Sequence, residues 1–451
     1  MALSTADVAH VLVALTLLVL AAHVVGHVFG VLRQPPVIGE ILGGLLLGPS
    51  VLGLIDPGLE ARLFPAEGPA AAVLGAIYEL GLVFLMFLAG GELRAAGNPS
   101  ERRTVLGVTV AGLVLPFAVG LGAAQLFDPA SLSGPNGSTT TFGLVFAIAV
   151  AVTSIPVISR ILLDLGLLDT TFARIVLSVA VLEDIVLYVL LAVLLGLVQA
   201  STGDAFGLWS MTGVTSVGWS AAYYVVISVV FLGLFLAGGG AFFRWMARQR
   251  VNLLERHNPT AFRIAFLFVV VLASVALGIN PVFGALMAGV SVARADGAAG
   301  AASESTPGSH PWQAIRRFSL AFFVPVYFAL VGVQIDVINN FPVLFFIVFT
   351  VLACAVKLVS VWIGARLSGE SRESALNLAV VMNARGGPGI VLATVTLSAG
   401  IINDEFFTVL VLFSIFTSQA AGIWLDRKFR PQDGTRDDDA RTAEPEPVRG
   451  T

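Results

Sequence analysis

Glu183 and Asp184 are neighbours in an otherwise apolar run, Ile175-Val176-Leu177-Ser178-Val179-Ala180-Val181-Leu182-Glu183-Asp184-Ile185-Val186-Leu187. Carboxylates placed where water is excluded need a partner, a metal ion or a proton, and such residues usually mark ion pathways or proton relays. The chain contains 25 Lys+Arg, yet only Lys357 and Lys428 are lysines. Arginine keeps its proton in proteins, whereas a buried lysine can lose it. Lys357 lies in a second apolar run, nine residues before Arg366, just as Glu183 lies nine residues after Arg174. Nine helical residues span about 13.5 Å. That is close to half of a hydrocarbon core of about 30 Å. The two side chains therefore share a depth, and a Glu–Lys or Asp–Lys pair between two helices is allowed. Consecutive helical positions point about 100° apart, so one lysine does not neutralise both acids. The remaining carboxylate calls for a cation or a proton. The alternative is a salt bridge that only locks two helices, which leaves the second acid without a purpose.

Two segments carry helix breakers at such depths. One reads Val152-Thr153-Ser154-Ile155-Pro156, the other Asn383-Ala384-Arg385-Gly386-Gly387-Pro388-Gly389. Proline removes a backbone donor and glycine loosens the helix. Unwinding frees carbonyls that can bind a cation, and half-helix ends present partial charges. Thr153 and Ser154 are thereby candidate ion ligands. Pro156, Asn383, Arg385, Gly386, Gly387 and Pro388 mark the breaks. A plain proline kink is the competing explanation, and it accounts poorly for a glycine-rich run with an arginine inside it.

The elements that must position these residues follow from composition. Of 451 residues, 57% are hydrophobic and 12% charged, with a mean hydropathy of +0.92. Soluble domains carry about 25% charged residues. These values exclude a cytosolic globule, a disordered chain and a nucleic-acid binder, and point to an all-α polytopic membrane protein. A single cysteine, Cys354, excludes a disulfide framework or a cysteine-based metal site. Residues 1–9 contain no Lys or Arg, and the apolar stretch from Val8 to Leu32 predicts a spanning helix rather than a cleaved leader.

Apolar runs predict about 13 spans, near 8–32, 37–55, 71–94, 104–127, 141–165, 171–199, 219–247, 260–278, 281–296, 311–333, 341–368, 372–399 and 404–427. Connections after odd-numbered spans hold 16 basic residues, the tail from Arg427 holds six, and connections after even-numbered spans hold only Arg62. The positive-inside rule then places the N-terminus outside and the C-terminus in the cytoplasm of a cell (plasma) membrane. The broken spans are fifth in spans 1–6 and fifth in spans 8–13. The odd connecting span between the sets gives them opposite orientation. This pattern predicts two inverted-topology repeats with crossed broken helices, and an ion site where the breaks meet. Residues 1–430 form the transmembrane unit, with a first repeat at 8–199, a linker helix at 219–247 and a second repeat at 260–427. Residues 431–451, rich in Asp, Glu, Pro and Arg, read as a disordered cytoplasmic tail.

Other polar residues within spans read as less specific. Glu40 suits a helix end or funnel lining, and Glu79 remains open. His23 and His27 share a helix face, and with His10 suit pH sensing or ordinary interface packing. Cys354 suits packing.

Several motifs resemble the monovalent cation:proton antiporter-2 family, which includes Kef-, GerN- and NapA-type antiporters. They are Gln34-Pro35-Pro36-Val37-Ile38-Gly39-Glu40-Ile41-Leu42-Gly43-Gly44 with Leu47-Gly48-Pro49; Gly81 through Gly90; Arg160 through Gly166 leading into Leu182-Glu183-Asp184; and Phe322-Phe323-Val324-Pro325 through Gly332 and Asp336. The match spans roughly residues 8–427. The resemblance implies the sodium/proton antiporter fold, a homodimer, a dimerisation bundle, and a mobile core of spans 4–6 and 11–13 that slides in elevator-type alternating access. It implies transient cation binding (Na+ or K+) at Asp184, a partner role for Glu183, pairing of Glu183 with Lys357, and a place for Thr153 in the crossing segment. This chain departs from the pattern by using Glu at position 183 and by having Gly387-Pro388 after Arg385-Gly386, and it carries no Kef-type nucleotide-binding domain.

The expected function is exchange of a monovalent cation, Na+ or K+, for protons. Asp184 holds the cation, and the Glu183–Lys357 pair is coupled to protons. The competing function is a proton-independent monovalent cation (K+) efflux channel on the same scaffold. No phosphate loop, H-E-x-x-H pair or nucleophile elbow points to an enzyme. No cofactor or nucleic-acid partner is expected; the partners are the cation, protons, the bilayer and a second copy.

Overall fold

A computed structural model describes residues 4–32, 34–92, 101–154, 158, 162, 167, 170–202, 208–209, 217–249, 252–300, 311–338 and 341–429. Pro156, Arg160, Asp164, Gly166 and the tail 431–451 lie outside the described residues, as do Arg33, Arg94 and Arg250.

The described residues are nearly all helical and form no strand. Fourteen helices matter here. They are α1 (Thr5–Val31), α2 (Pro36–Leu47), α3 (Pro69–Glu92), α4 (Arg102–Ala124), α5 (Thr139–Ala151), α6 (Thr171–Thr202), α7 (Val217–Arg248) and α8 (Pro259–Ala276). They continue with α9 (Pro281–Gly300), α10 (Pro311–Val333), α11 (Val343–Leu367), α12 (Arg372–Val381), α13 (Gly386–Ser398) and α14 (Asp404–Phe429). Eleven stretches are long and apolar enough to cross a membrane, with α12 and α13 counted as one. α5 and α9 occupy the positions of the other two expected spans.

Local sequence sets many of the boundaries. Ser4 and Asp7 form a capping box at α1, and Ser138 and Thr141 form one at α5. Proline opens α2 and α8, where its missing donor costs nothing. The second span covers Pro36–Ile55, as its apolar run suggested, but its helix is interrupted. α2 stops at Leu47, ahead of Gly48-Pro49, and a separate helical turn follows at Leu52–Ile55.

The helices pack as two bundles. α1, α2, α3, α7, α8, α9 and α10 form a scaffold, and α4, α5, α6, α11, α12, α13 and α14 form a core. α6 and α7 pack along each other and join the two. The core bundle holds the buried Glu183, Asp184, Lys357 and Arg385, and its α12–α13 span is 89% buried, against 22% for α1.

Candidate ion-binding site

Two helices of the core stop short and meet. α5 ends at Ala151, and Val152 turns to extended backbone at ψ 147°. α12 ends at Val381, and α13 restarts at Gly386, whose φ of +33° favours glycine. The breaks touch directly: the Ser154 N–H donates to the Ala384 carbonyl at 2.7 Å, and the Thr153 hydroxyl oxygen lies 3.0 Å from the Met382 carbonyl oxygen.

Lys357 of α11 reaches into this crossing and is completely buried. Its ammonium donates three bonds: 2.9 Å to Glu183 Oε2, 2.8 Å to the Gly112 carbonyl and 2.8 Å to the Ala151 carbonyl. All three of its donors are thereby used. Glu183 Oε2 also accepts from the Thr153 hydroxyl at 2.7 Å. Lysine, threonine and the broken end of α5 thus converge on one carboxylate.

Asp184 is treated differently. It is 3% exposed, and its Oδ1 makes no hydrogen bond to any described residue. Glu183 Oε1 and the Ser154 hydroxyl are likewise buried without a hydrogen-bond partner among the described residues. Buried polar atoms are nearly always paired, because desolvation without a bond is costly. Carboxylate and hydroxyl oxygens are donors of the kind hard cations take.

Arg385 is also completely buried, but it faces backbone rather than a carboxylate. It donates to the carbonyls of Val150 (3.0 Å), Ala149 (3.4 Å), Ala353 (3.2 Å) and Asn383 (2.7 Å), and to Asn383 Oδ1 (2.9 Å). Its guanidinium carbon stands 4.5 Å from the centre of the Phe413 ring. The last carbonyls of a helix lack intrahelical partners and carry partial negative charge. Arg385 and Lys357 together occupy three consecutive carbonyls at the end of α5.

The structure brings Glu183, Lys357, Thr153, Ser154, Asn383 and Arg385 to one crossing, with Asp184 beside Glu183. Gly386, Gly387 and Pro388 start α13, where the Gly386 N–H donates to the Ser418 hydroxyl at 3.1 Å. Sequence reasoning missed Gly112. A Cβ there would lie 2.7 Å from Glu183 Oε1, so only glycine lets α4 pass this close to the carboxylate. The available signal was the small-residue pair Ala111-Gly112 on an apolar helix, which favours close helix approach. The histidines lie elsewhere: His10 contacts the Leu63 carbonyl at 3.3 Å and His23 the Val19 carbonyl at 2.9 Å.

A helical membrane bundle whose interrupted helices cross beside buried carboxylates is the architecture of a secondary transporter. The family model described as "Sodium/hydrogen exchanger, transmembrane" matches residues 14–429, and the chain belongs to that family. It is similar to the Na(+)/H(+) antiporter NhaS4 of Synechocystis, with 30% identity over 410 residues covering 88% of this chain and 92% of that one. It is 26% identical to the Na(+)/H(+)-K(+) antiporter GerN of Bacillus cereus, covering 93% of this chain and 96% of that one. Similarity to Cation/H(+) antiporter 18 of Arabidopsis thaliana is 28% over 90% of this chain, which spans only 47% of that longer relative. Among solved structures, the sodium proton antiporter MjNhaP1 from Methanocaldococcus jannaschii shares the fold, with TM-score 0.60 and 15% identity, covering 93% of this chain and 96% of that one.

Proposed function

We propose that this protein exchanges a monovalent cation for protons, and that Asp184 is the carboxylate for which the two compete. The observation that carries this reading is the pairing pattern. Lys357 is committed to Glu183 and two carbonyls, while Asp184 is buried with an unpaired oxygen. A carboxylate at that depth is stable when it holds a proton or a cation, and exchanging one for the other is antiport. The names of the relatives support the same activity, and both Na+ and K+ occur among them.

Glu183 and Lys357 form the second titrating unit. Protonating the pair breaks its ion pair and re-forming it releases the proton. If both events occur in each cycle, net charge crosses the membrane, and voltage biases transport by about 2.3 kcal/mol per charge per 100 mV. Ser154 and Thr153 supply oxygen at the crossing. The core bundle slides against the scaffold in an elevator motion, and the protein works as a homodimer in the plasma membrane, with the N-terminus outside. The division into two bundles supports that mechanism.

Proton flux in inside-out vesicles with an acid lumen tests the reading. Addition of Na+, K+ or Li+ should alkalinise the lumen in the wild type and not in Asp184→Asn. Cation flux with no proton movement would replace the antiporter with a channel.

A further inference from the structure

The scaffold and core also meet away from the crossing. The Tyr327 hydroxyl of α10 lies 3.0 Å from the Thr394 hydroxyl of α13, and both residues are buried. α10 belongs to the scaffold and α13 to the core, so this hydrogen bond joins the two bundles. The Tyr327 ring packs on Tyr78 of α3 at 5.1 Å between centres. Tyr78 in turn stands beside Thr394 and Gln334. Tyr188, one helical turn beyond Asp184 on α6, is buried and lies near Tyr327. Three tyrosines from three helices and one threonine thus cluster where core and scaffold meet.

Beyond this cluster along α10 lies a cavity of about 430 Å³, lined by Gln334, Asp336, Asn403, Asp404, Glu405 and Thr408. It sits at the end of the molecule opposite the arginine-rich connections. Gln334 is seven residues beyond Tyr327, or about 10.5 Å along α10. Along α10, Tyr327 thus lies inward of this cavity, and Tyr188 links its surroundings to those of Asp184.

We propose that the Tyr327–Thr394 hydrogen bond is the latch of the outer gate: it holds core against scaffold while Asp184 is shut off from the outer cavity, and it must break for Asp184 to exchange ions there. The proposal rests on the alternating-access reading above. Both partners are hydroxyls, so the latch carries no charge and opens without stranding an ion in lipid. A net hydrogen bond of ordinary strength corresponds to about a fivefold bias between two states. The bond thus tunes an equilibrium rather than locking it. Tyr327 is a positioning residue in this scheme, since it touches neither ion.

The test uses Val391→Cys, one helical turn inward from Thr394, in a Cys354→Ser background. A membrane-impermeant maleimide added from the outside reads how often the seam opens, whether or not the protein transports. Tyr327→Phe and Thr394→Val each keep the shape and delete the bond. Each should raise the labelling rate about fivefold. Each should also lower the external cation concentration needed for half-maximal exchange by a similar factor, since apparent affinity follows the fraction of binding-competent protein. Unchanged labelling in both folded variants overturns the latch. Raised labelling in a protein that exchanges no cation for protons keeps the latch and overturns the antiporter reading instead.

Discussion

Lys357 shows how far one side chain's bonds constrain its neighbours. Its ammonium binds Glu183 and two backbone carbonyls in a site without exposure to solvent. Removing it alone strands a buried carboxylate. Lys357→Ala should therefore cost about 3–5 kcal/mol, whereas replacing both partners by apolar residues, as in Glu183→Leu with Lys357→Met, should recover most of that loss. Thermal unfolding of the purified variants in one detergent checks both outcomes. Recovery of stability without recovery of exchange would separate the pair's structural contribution from its coupling to protons. The depth match between Glu183 and Lys357 was legible in the sequence, because both sit nine residues from an arginine. Which acid the lysine takes could not be read from spacing, and only the family resemblance pointed to Glu183. That depends on the rotation of α6 about its axis, which α4 and α5 impose.

At the scale of elements, the two interruptions are the main feature. Their positions could be read from Pro156, Gly386, Gly387 and Pro388, but not the way their ends are satisfied. In the sequence Arg385 reads only as a marker of the second break. In the structure it closes the end of α5 with a five-donor fork, reaching carbonyls on α5 and α11. No sequence pattern reveals this, because the carbonyls belong to Ala149, Val150 and Ala353, residues without polar side chains. Lysine at this position keeps the charge but lacks the planar fork. Arg385→Lys should therefore leave several buried carbonyls unpaired, at about 1–3 kcal/mol for each. A lowered melting temperature, with loss of exchange at temperatures where the protein remains folded, is the expected result. Full stability in Arg385→Lys would show that charge alone holds the end of α5.

For the whole molecule, the sequence carried most of the architecture. Apolar run lengths placed the spans, and the alternation of arginines predicts their direction. Within the second span the helix is interrupted at Gly48-Pro49, where glycine and proline break a run that hydropathy reads as continuous, yet the span still reaches Ile55. The division into scaffold and core was foreshadowed only by the family resemblance, because which helices pack together is decided by non-local contacts. Orientation makes a direct prediction in a Cys354→Ser background. Arg62→Cys should react with an impermeant maleimide in intact cells, and Arg248→Cys should react only after permeabilisation. The reverse pattern would invert the molecule and put the Tyr327–Thr394 seam on the cytoplasmic side.

The ion pair also bears on valence. With Lys357 held on Glu183, the two acids and the lysine sum to a single negative charge. One monovalent ion brings that sum to zero. A divalent ion would leave a surplus positive charge in a medium that barely screens it. Arg385 does not relieve the excess, since its own charge is only partly offset by the helix end it caps. On the proposal that Asp184 holds the cation, the lysine acts as a built-in counter, and charge balance disfavours calcium or magnesium before size or ligand geometry enters.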